Sequence, residues 1–125
     1  MVSGLLDTSI LVDVMRKHPP AAIWLAQQNN LGVSHIVALE MLAGARNRTS
    51  EHETARLLAA FQRVELTNDD FLWALAQMAK FHLSHNVGSM DCLIAATAFR
   101  LQVPLYTRNL KHFAPLLGGL TQEPY

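Results

Sequence analysis

Three carboxylates occupy stretches of the sequence where a charge is costly. Counting Asp, Glu, Lys and Arg, Asp7 is the only charged side chain from Met1 to Val12, Glu40 the only one from Pro19 to Ala45, and Asp91 the only one from Phe81 to Phe99. An isolated carboxylate among apolar neighbours either takes up a proton or needs a cation, and no Lys or Arg nearby in sequence can serve any of the three. A divalent ion can satisfy all three at once: carboxylate oxygens are hard ligands suited to Mg²⁺ or Mn²⁺, and the ion in turn favours their ionised form. A metal ion held in this way polarises phosphoryl groups and acidifies bound water, which makes hydrolysis the natural chemistry.

Each residue also has a structural reading. Asp7 opens Asp7-Thr8-Ser9, a run able to cap a helix, and Asp91 falls in a first helical turn, where the dipole favours an anion. Glu40 has neither excuse. It lies mid-helix in Ile36-Val37-Ala38-Leu39-Glu40-Met41-Leu42-Ala43, apolar on every side, which predicts that this helix is largely buried.

The elements that must position these groups alternate. Val2 to Leu6 reads as a strand, followed by a helix from about Ile10 to Lys17, and Pro20 opens a second helix that ends near Asn29-Asn30. Leu31 to Val33 is a minimal strand, and Ser34 caps a helix from His35 to about Ala45. A more polar helix runs from about Ser50 to Phe61, with a strand at Val64 to Leu66. Thr67 and Asp70 imitate a capping box before a long helix reaching about His85. Ser89 caps the next helix, Val103 to Tyr106 forms the last clear strand, and the chain beyond Phe113 gives no firm pattern. Alternating strands and helices predict a three-layer α/β/α sandwich around a mainly parallel sheet of four to five strands, forming one domain over residues 1–125. Ligands of such sheets bind beyond the carboxyl ends of the strands, where Asp7 and Asp91 share a rim.

Composition narrows the functional classes. Ten acidic and ten basic side chains balance, and charged residues make up only 16% of the chain, so overall charge announces no nucleic-acid partner. The single cysteine, Cys92, excludes an internal disulfide framework and a cysteine-based zinc site, and it reads as a small core residue of a chain from a reducing compartment. No apolar run reaches membrane-spanning length and no signal segment is visible, so a cytoplasmic, membrane-free protein is expected. His82 and His85 stand three apart rather than at the four-residue spacing of a helical zinc pair, and no Gly-rich phosphate loop occurs. Trp24, Phe71, Trp73 and Phe81 recur at helical spacings, as core or interface residues do, and form no base-stacking array.

Leu5-Leu6-Asp7-Thr8-Ser9, Ala38-Leu39-Glu40-Met41-Leu42-Ala43-Gly44 and Met90-Asp91-Cys92-Leu93-Ile94-Ala95-Ala96 resemble the signature segments of PIN-domain ribonucleases, and more narrowly of VapC-type toxins of toxin–antitoxin pairs. Tyr106-Thr107-Arg108-Asn109 resembles the fourth segment. The resemblance implies Asp7, Glu40 and Asp91 as ligands of Mg²⁺ or Mn²⁺, and endoribonuclease activity leaving 5′-phosphate and 3′-hydroxyl ends. It also implies a homodimer, an RNA substrate, and a cognate VapB-like antitoxin across the active-site groove. Many relatives carry Asp in the fourth segment where this chain has Asn109, which keeps an oxygen but loses the charge. That change weakens any second metal site and leaves Asn109 a catalytic role in positioning water or a phosphate oxygen. Thr8, Ser89 and Thr107 fall in the same segments as hydrogen-bond partners that orient the ligands, although capping explains Ser89 equally well. Arg46 and Arg48 follow the Glu40 helix, while Arg108 and Lys111 flank Asn109; all four are candidate RNA phosphate contacts or ordinary surface charges. Two other readings stay open: a catalytically weak PIN-like module that binds RNA or a partner, and a phosphoacceptor signalling domain, which lacks here its acidic pair after the first strand.

Overall fold

The structure is a computed structural model describing residues 1–125. Five strands, β1 (Gly4–Leu6), β2 (Leu31–Ser34), β3 (Gln62–Val64), β4 (Leu105–Tyr106) and β5 (Thr121–Gln122), form one sheet in the order β3-β2-β1-β4-β5. Every neighbouring pair is parallel. Seven helices connect them: α1 (Thr8–Met15), α2 (Pro19–Ala26), α3 (His35–Ala43), α4 (Arg48–Leu58), α5 (Asn68–His85), α6 (Ser89–Leu101) and α7 (Leu110–Leu117). A parallel sheet is buried on both faces and its strands read as apolar runs. Leu5, Leu6, Val33 and Leu105 accordingly form the middle of a core that also takes in Ile10, Leu11, Ile94 and Phe113. Gly32 is required at its place in β2: a Cβ there would lie 2.7 Å from Val2 Cγ1 and 3.0 Å from Leu5 Cδ2.

Local chemistry sets the helix ends. The expected capping box at the start of α5 is present, with the Thr67 N–H donating to Asp70 Oδ2 (2.9 Å) and the Asp70 N–H to Thr67 Oγ1 (3.2 Å). Ser34 caps α3 by accepting from the Val37 N–H. A second box, between Asn47 and Ser50, starts α4 at Arg48, ahead of the expected Ser50. Ser89 does not cap α6: the N-cap is Gly88, and Ser89 is the first helical residue with no side-chain hydrogen bond to the turn. Strand β3 lies at Gln62–Val64 rather than Val64–Leu66, because an edge strand with exposed Gln62 and Arg63 carries no apolar run to mark it. Strand β4 is shorter than expected, since the Val103 N–H is still engaged with the Ala98 carbonyl at the end of α6.

The helix carrying Glu40 is not largely buried. Val37, Ala38 and Met41 face the core, but Leu39 is 64% exposed, Leu42 is also exposed, and Glu40 is half-buried. The apolar character of all sides of α3 therefore marks two surfaces, one packed on the core and one left open. The segment beyond Phe113 completes α7, in which Pro115 forgoes a backbone donor, and then returns as β5. No helix is long and apolar enough to cross a membrane.

Candidate active site

The strand order places a crevice. β1 leads through α1 and α2 to β2 on one side of itself, whereas β4 joins it on the other, so the connections diverge between β1 and β4. Carboxyl ends of strands at such a point are where open α/β sheets bind ligands. Asp7 directly follows β1, Thr107 directly follows β4, and the Thr107 hydroxyl bridges the two by donating to Asp7 Oδ2 at 2.8 Å.

Asp7 is 6% exposed. Its Oδ2 accepts a second hydrogen bond from Ser9 Oγ (2.8 Å), and it makes no cap bond to α1 despite standing at the N-cap position. No Lys, Arg or His lies within ion-pair distance of Asp7 or of Glu40. The only buried side-chain nitrogen or oxygen in the chain without a hydrogen-bond partner is Thr121 Oγ1, so Asp7 Oδ1, which accepts no side-chain hydrogen bond, reaches the surface. A largely buried carboxylate held on one oxygen by neutral hydroxyls and open on the other is suited to a cation arriving from outside.

Glu40 comes to the same rim from α3, with its Oε1 accepting from Thr8 Oγ1 at 2.8 Å. Thr8 and Thr107 thus each donate a hydrogen bond to one carboxylate. Asp91, in the first turn of α6, has Oδ2 at 3.1 Å from His112 Nδ1, and Nδ1 lies 3.1 Å from the Asn109 side-chain amide. Burial, with a contribution from the nearby Asp7 charge, pushes the Asp91 carboxyl above its usual range, against the pull of His112 and the Gly88 N–H. The Asp7 charge thus reaches Asp91, which sets the two carboxylates near enough for one counter-ion to act on both. The donor set is therefore chemically right for a hard divalent cation, although as the side chains stand no three of the Asp, Glu, His or Cys groups close around a common point.

The remaining residues divide clearly. Ser89 lines an apolar recess with Phe71, Leu75, Met78 and Leu93. Asn109 touches His112 and, through its backbone N–H, Thr107 Oγ1 (2.9 Å). Arg46 lines an open groove of about 540 Å³ together with Thr8, Glu40 and Arg16, whereas Arg48 and Lys111 are exposed and take part in no ion pair. Arg108 is already engaged, with Nη1 at 2.9 Å from Asp13 Oδ2. Cys92 is buried, as expected, and burial, followed by the Asp91 charge, pushes its thiol up, away from a reactive thiolate. Ser9, Arg16 and His112 belong to the site or its edge and do not stand out in the sequence. Ser9 is recognisable only as a hydroxyl two residues after Asp7, and His112 only as the third residue after Asn109.

The PIN domain family profile matches residues 4–114. The chain is 39% identical to Ribonuclease VapC19 of Mycobacterium tuberculosis, across 97% of this chain and 98% of that protein. It is 33% identical to Ribonuclease VapC10 of the same organism, across 87% and 84%. Among solved structures, a toxin-antitoxin complex from Klebsiella pneumoniae superposes with a TM-score of 0.82 at 28% identity, covering 98% of both chains. The sheet order, the carboxylates at the divergence of its connections and these likenesses agree, and the chain belongs to the PIN domain family, among its VapC-type members.

Proposed function

We propose that this chain is a metal-dependent endoribonuclease and the toxin of a VapBC-type toxin–antitoxin pair. The observation that carries the reading is Asp7, a buried carboxylate at the divergence of the sheet connections, held by two hydroxyls with no cationic side chain beside it. The ribonuclease relatives and the toxin-antitoxin neighbour support the substrate class and the antitoxin partner. Asp7, Glu40 and Asp91 would hold Mg²⁺ or Mn²⁺. Such an ion supplies charge stabilisation at a scissile phosphate and a water acidic enough to exist as hydroxide near neutral pH.

The protein's own part is orientation. Thr107 and Ser9 fix Asp7, Thr8 fixes Glu40, and His112 links Asp91 to Asn109, whose amide takes the place of the fourth acid. With three acids and one amide, one ion is firmly held. Arg46, and beside it Arg16, line the groove that leads away from Glu40 and can meet RNA phosphates. Exposed Leu39 and Leu42 on α3, and Phe71 and Leu75 on α5, support association into a homodimer.

The test uses the purified chain, free of any antitoxin, incubated with total RNA in Mn²⁺ or Mg²⁺. Asp7→Asn and Asp91→Asn are expected to lower cleavage at least about 100-fold, the equivalent of a few kcal/mol of barrier. Chelation is expected to abolish cleavage, and added Mn²⁺ to raise the melting temperature of the wild type but not of Asp7→Asn; mass action gives about 2.7 kcal/mol at a hundredfold excess over Kd. Cleavage that survives chelation and both substitutions would sink the metal mechanism.

A further inference from the structure

Arg108 sits next to the site, and its guanidinium is engaged by the chain itself. Nη1 bonds Asp13 Oδ2 at 2.9 Å, Nε lies 3.8 Å from Glu123, and the group stacks 5.0 Å above the Tyr125 ring. The Tyr125 hydroxyl donates to the same Asp13 oxygen at 2.9 Å. On its other sides the Tyr125 ring meets Trp24 at 6.2 Å and His18 at 5.9 Å, near the turn between α1 and α2. Asp13 is thus the common acceptor of a clamp joining α1, the loop after β4 and the segment after β5.

The clamp closes on the segment that holds Asp7. The Arg108 N–H donates to Ser9 Oγ (3.0 Å), the Asn109 N–H donates to Thr107 Oγ1 (2.9 Å), and the Thr107 N–H donates to the Gln122 carbonyl (2.9 Å). Both hydroxyls so engaged are the two that donate to Asp7. From the inside, therefore, residues 107–109 fix the carboxylate; from the outside, Asp13, Glu123 and Tyr125 fix residues 107–109. We infer that Arg108 and Tyr125 are positioning residues, acting through Asp13 to hold the Thr107 and Ser9 hydroxyls on Asp7, and that Arg108 is not a phosphate grip.

Three further points agree with this. An ion pair in which the Arg108 side chain is 40% and the Asp13 side chain 22% exposed adds little stability of its own, so a purely structural role offers small return. A guanidinium that meets one carboxylate, approaches a second and lies on a ring has committed much of its donor fork. Burial, reinforced by Asp13, pushes the Tyr125 hydroxyl up to about 12, so it remains a donor at every working pH. Because the inference rests on the reading of Asp7 as a metal-holding carboxylate, the experiment has to separate the two.

Tyr125→Phe keeps the ring and removes the hydroxyl, Arg108→Lys keeps the charge and removes the fork, and Arg108→Gln removes the charge. Each variant is assayed with Mn²⁺ on an RNA oligonucleotide that the wild type cuts, and RNA binding is measured against salt in chelator. The expected result is a kcat lower by about 10-fold in Tyr125→Phe and Arg108→Lys, as for partners that orient metal ligands, with KM within about twofold and the salt slope of Arg108→Gln unchanged. A higher KM and a log–log salt slope smaller by about 1 in Arg108→Gln, with Tyr125→Phe silent, would make Arg108 a phosphate contact and overturn the inference. Lower melting temperatures with kcat intact would overturn it too, leaving the clamp merely structural. If Asp7→Asn is inactive while both clamp variants are silent, the positioning role alone falls; if Asp7→Asn is active, the reading of the site falls with it.

Discussion

Asp7 and Asp70 are the only two charged side chains buried in this chain, at 6% and 2% exposure, and their surroundings differ in kind. Asp70 is fully provided for. It caps α5 through the Thr67 N–H and receives the Arg100 Nε on both oxygens, at 3.0 and 3.2 Å, while the Arg100 guanidinium also reaches the Glu65 carbonyl. Asp7 has two neutral hydroxyls on one oxygen and no cation. A buried acid with its cation built in is architecture, because the charge is repaid within the fold. A buried acid without one leaves a charge for something else to neutralise, and the divergence of the sheet connections beside it tells where that partner enters.

Exchanging the two aspartates for asparagine sharpens the contrast most. Asp7→Asn is expected to lose at least about 100-fold in cleavage while its melting temperature in metal-free buffer does not fall, since an uncompensated charge has been removed. Asp70→Asn is expected to do the reverse, losing about 1–3 kcal/mol of stability with its capping box and Arg100 contact while kcat is kept. Thermal melts and initial rates on the same samples decide it, and an Asp7→Asn variant that unfolds more readily than Asp70→Asn would erase the distinction. One step smaller, Thr107→Val removes a single donor from Asp7 and is expected to weaken Mn²⁺ activation by about 10- to 100-fold, measured as the shift in the half-activating concentration. Smallest is the effect at the open side: Arg16→Gln and Arg46→Gln should each reduce the salt slope of RNA binding by about 1, with little change in kcat. No change in slope would mean that the groove beside Glu40 does not carry the strand.

The comparison also explains which parts of the molecule were legible beforehand. Asp7, Glu40 and Asp91 could be singled out as candidates from isolation alone, because a lone charge in an apolar run is rare. Asp70 escaped notice as a buried charge because it sits among Asn68 and Asp69, in a polar turn where nothing marks it as interior, and its cation lies thirty residues away. The Glu40 helix misled for the opposite reason. An apolar side chain can face the core or an open surface, and Leu39 and Leu42 do the latter. Ser89 was equally ambiguous between cap and site partner, and the chain made Gly88 the cap instead.

By itself, the sequence determined what is local. Alternating apolar runs and capping residues laid out the strand and helix order of a parallel α/β sheet, with the boxed start of α5 and its end near His85, because these depend on neighbours within a turn or two. It also singled out three acids, Asp7, Glu40 and Asp91, with no Lys or Arg nearby in sequence. Only the tertiary structure decided which groups meet. The bond from Thr107 to Asp7 spans one hundred residues and exists because β4 lies beside β1. The return of the chain as β5, the clamp of Asp13 on Arg108 and Tyr125, and the contrast between Asp7 and Asp70 have the same origin. Their partners are chosen by strand order and packing, and no periodicity or motif within one segment encodes a contact made with another.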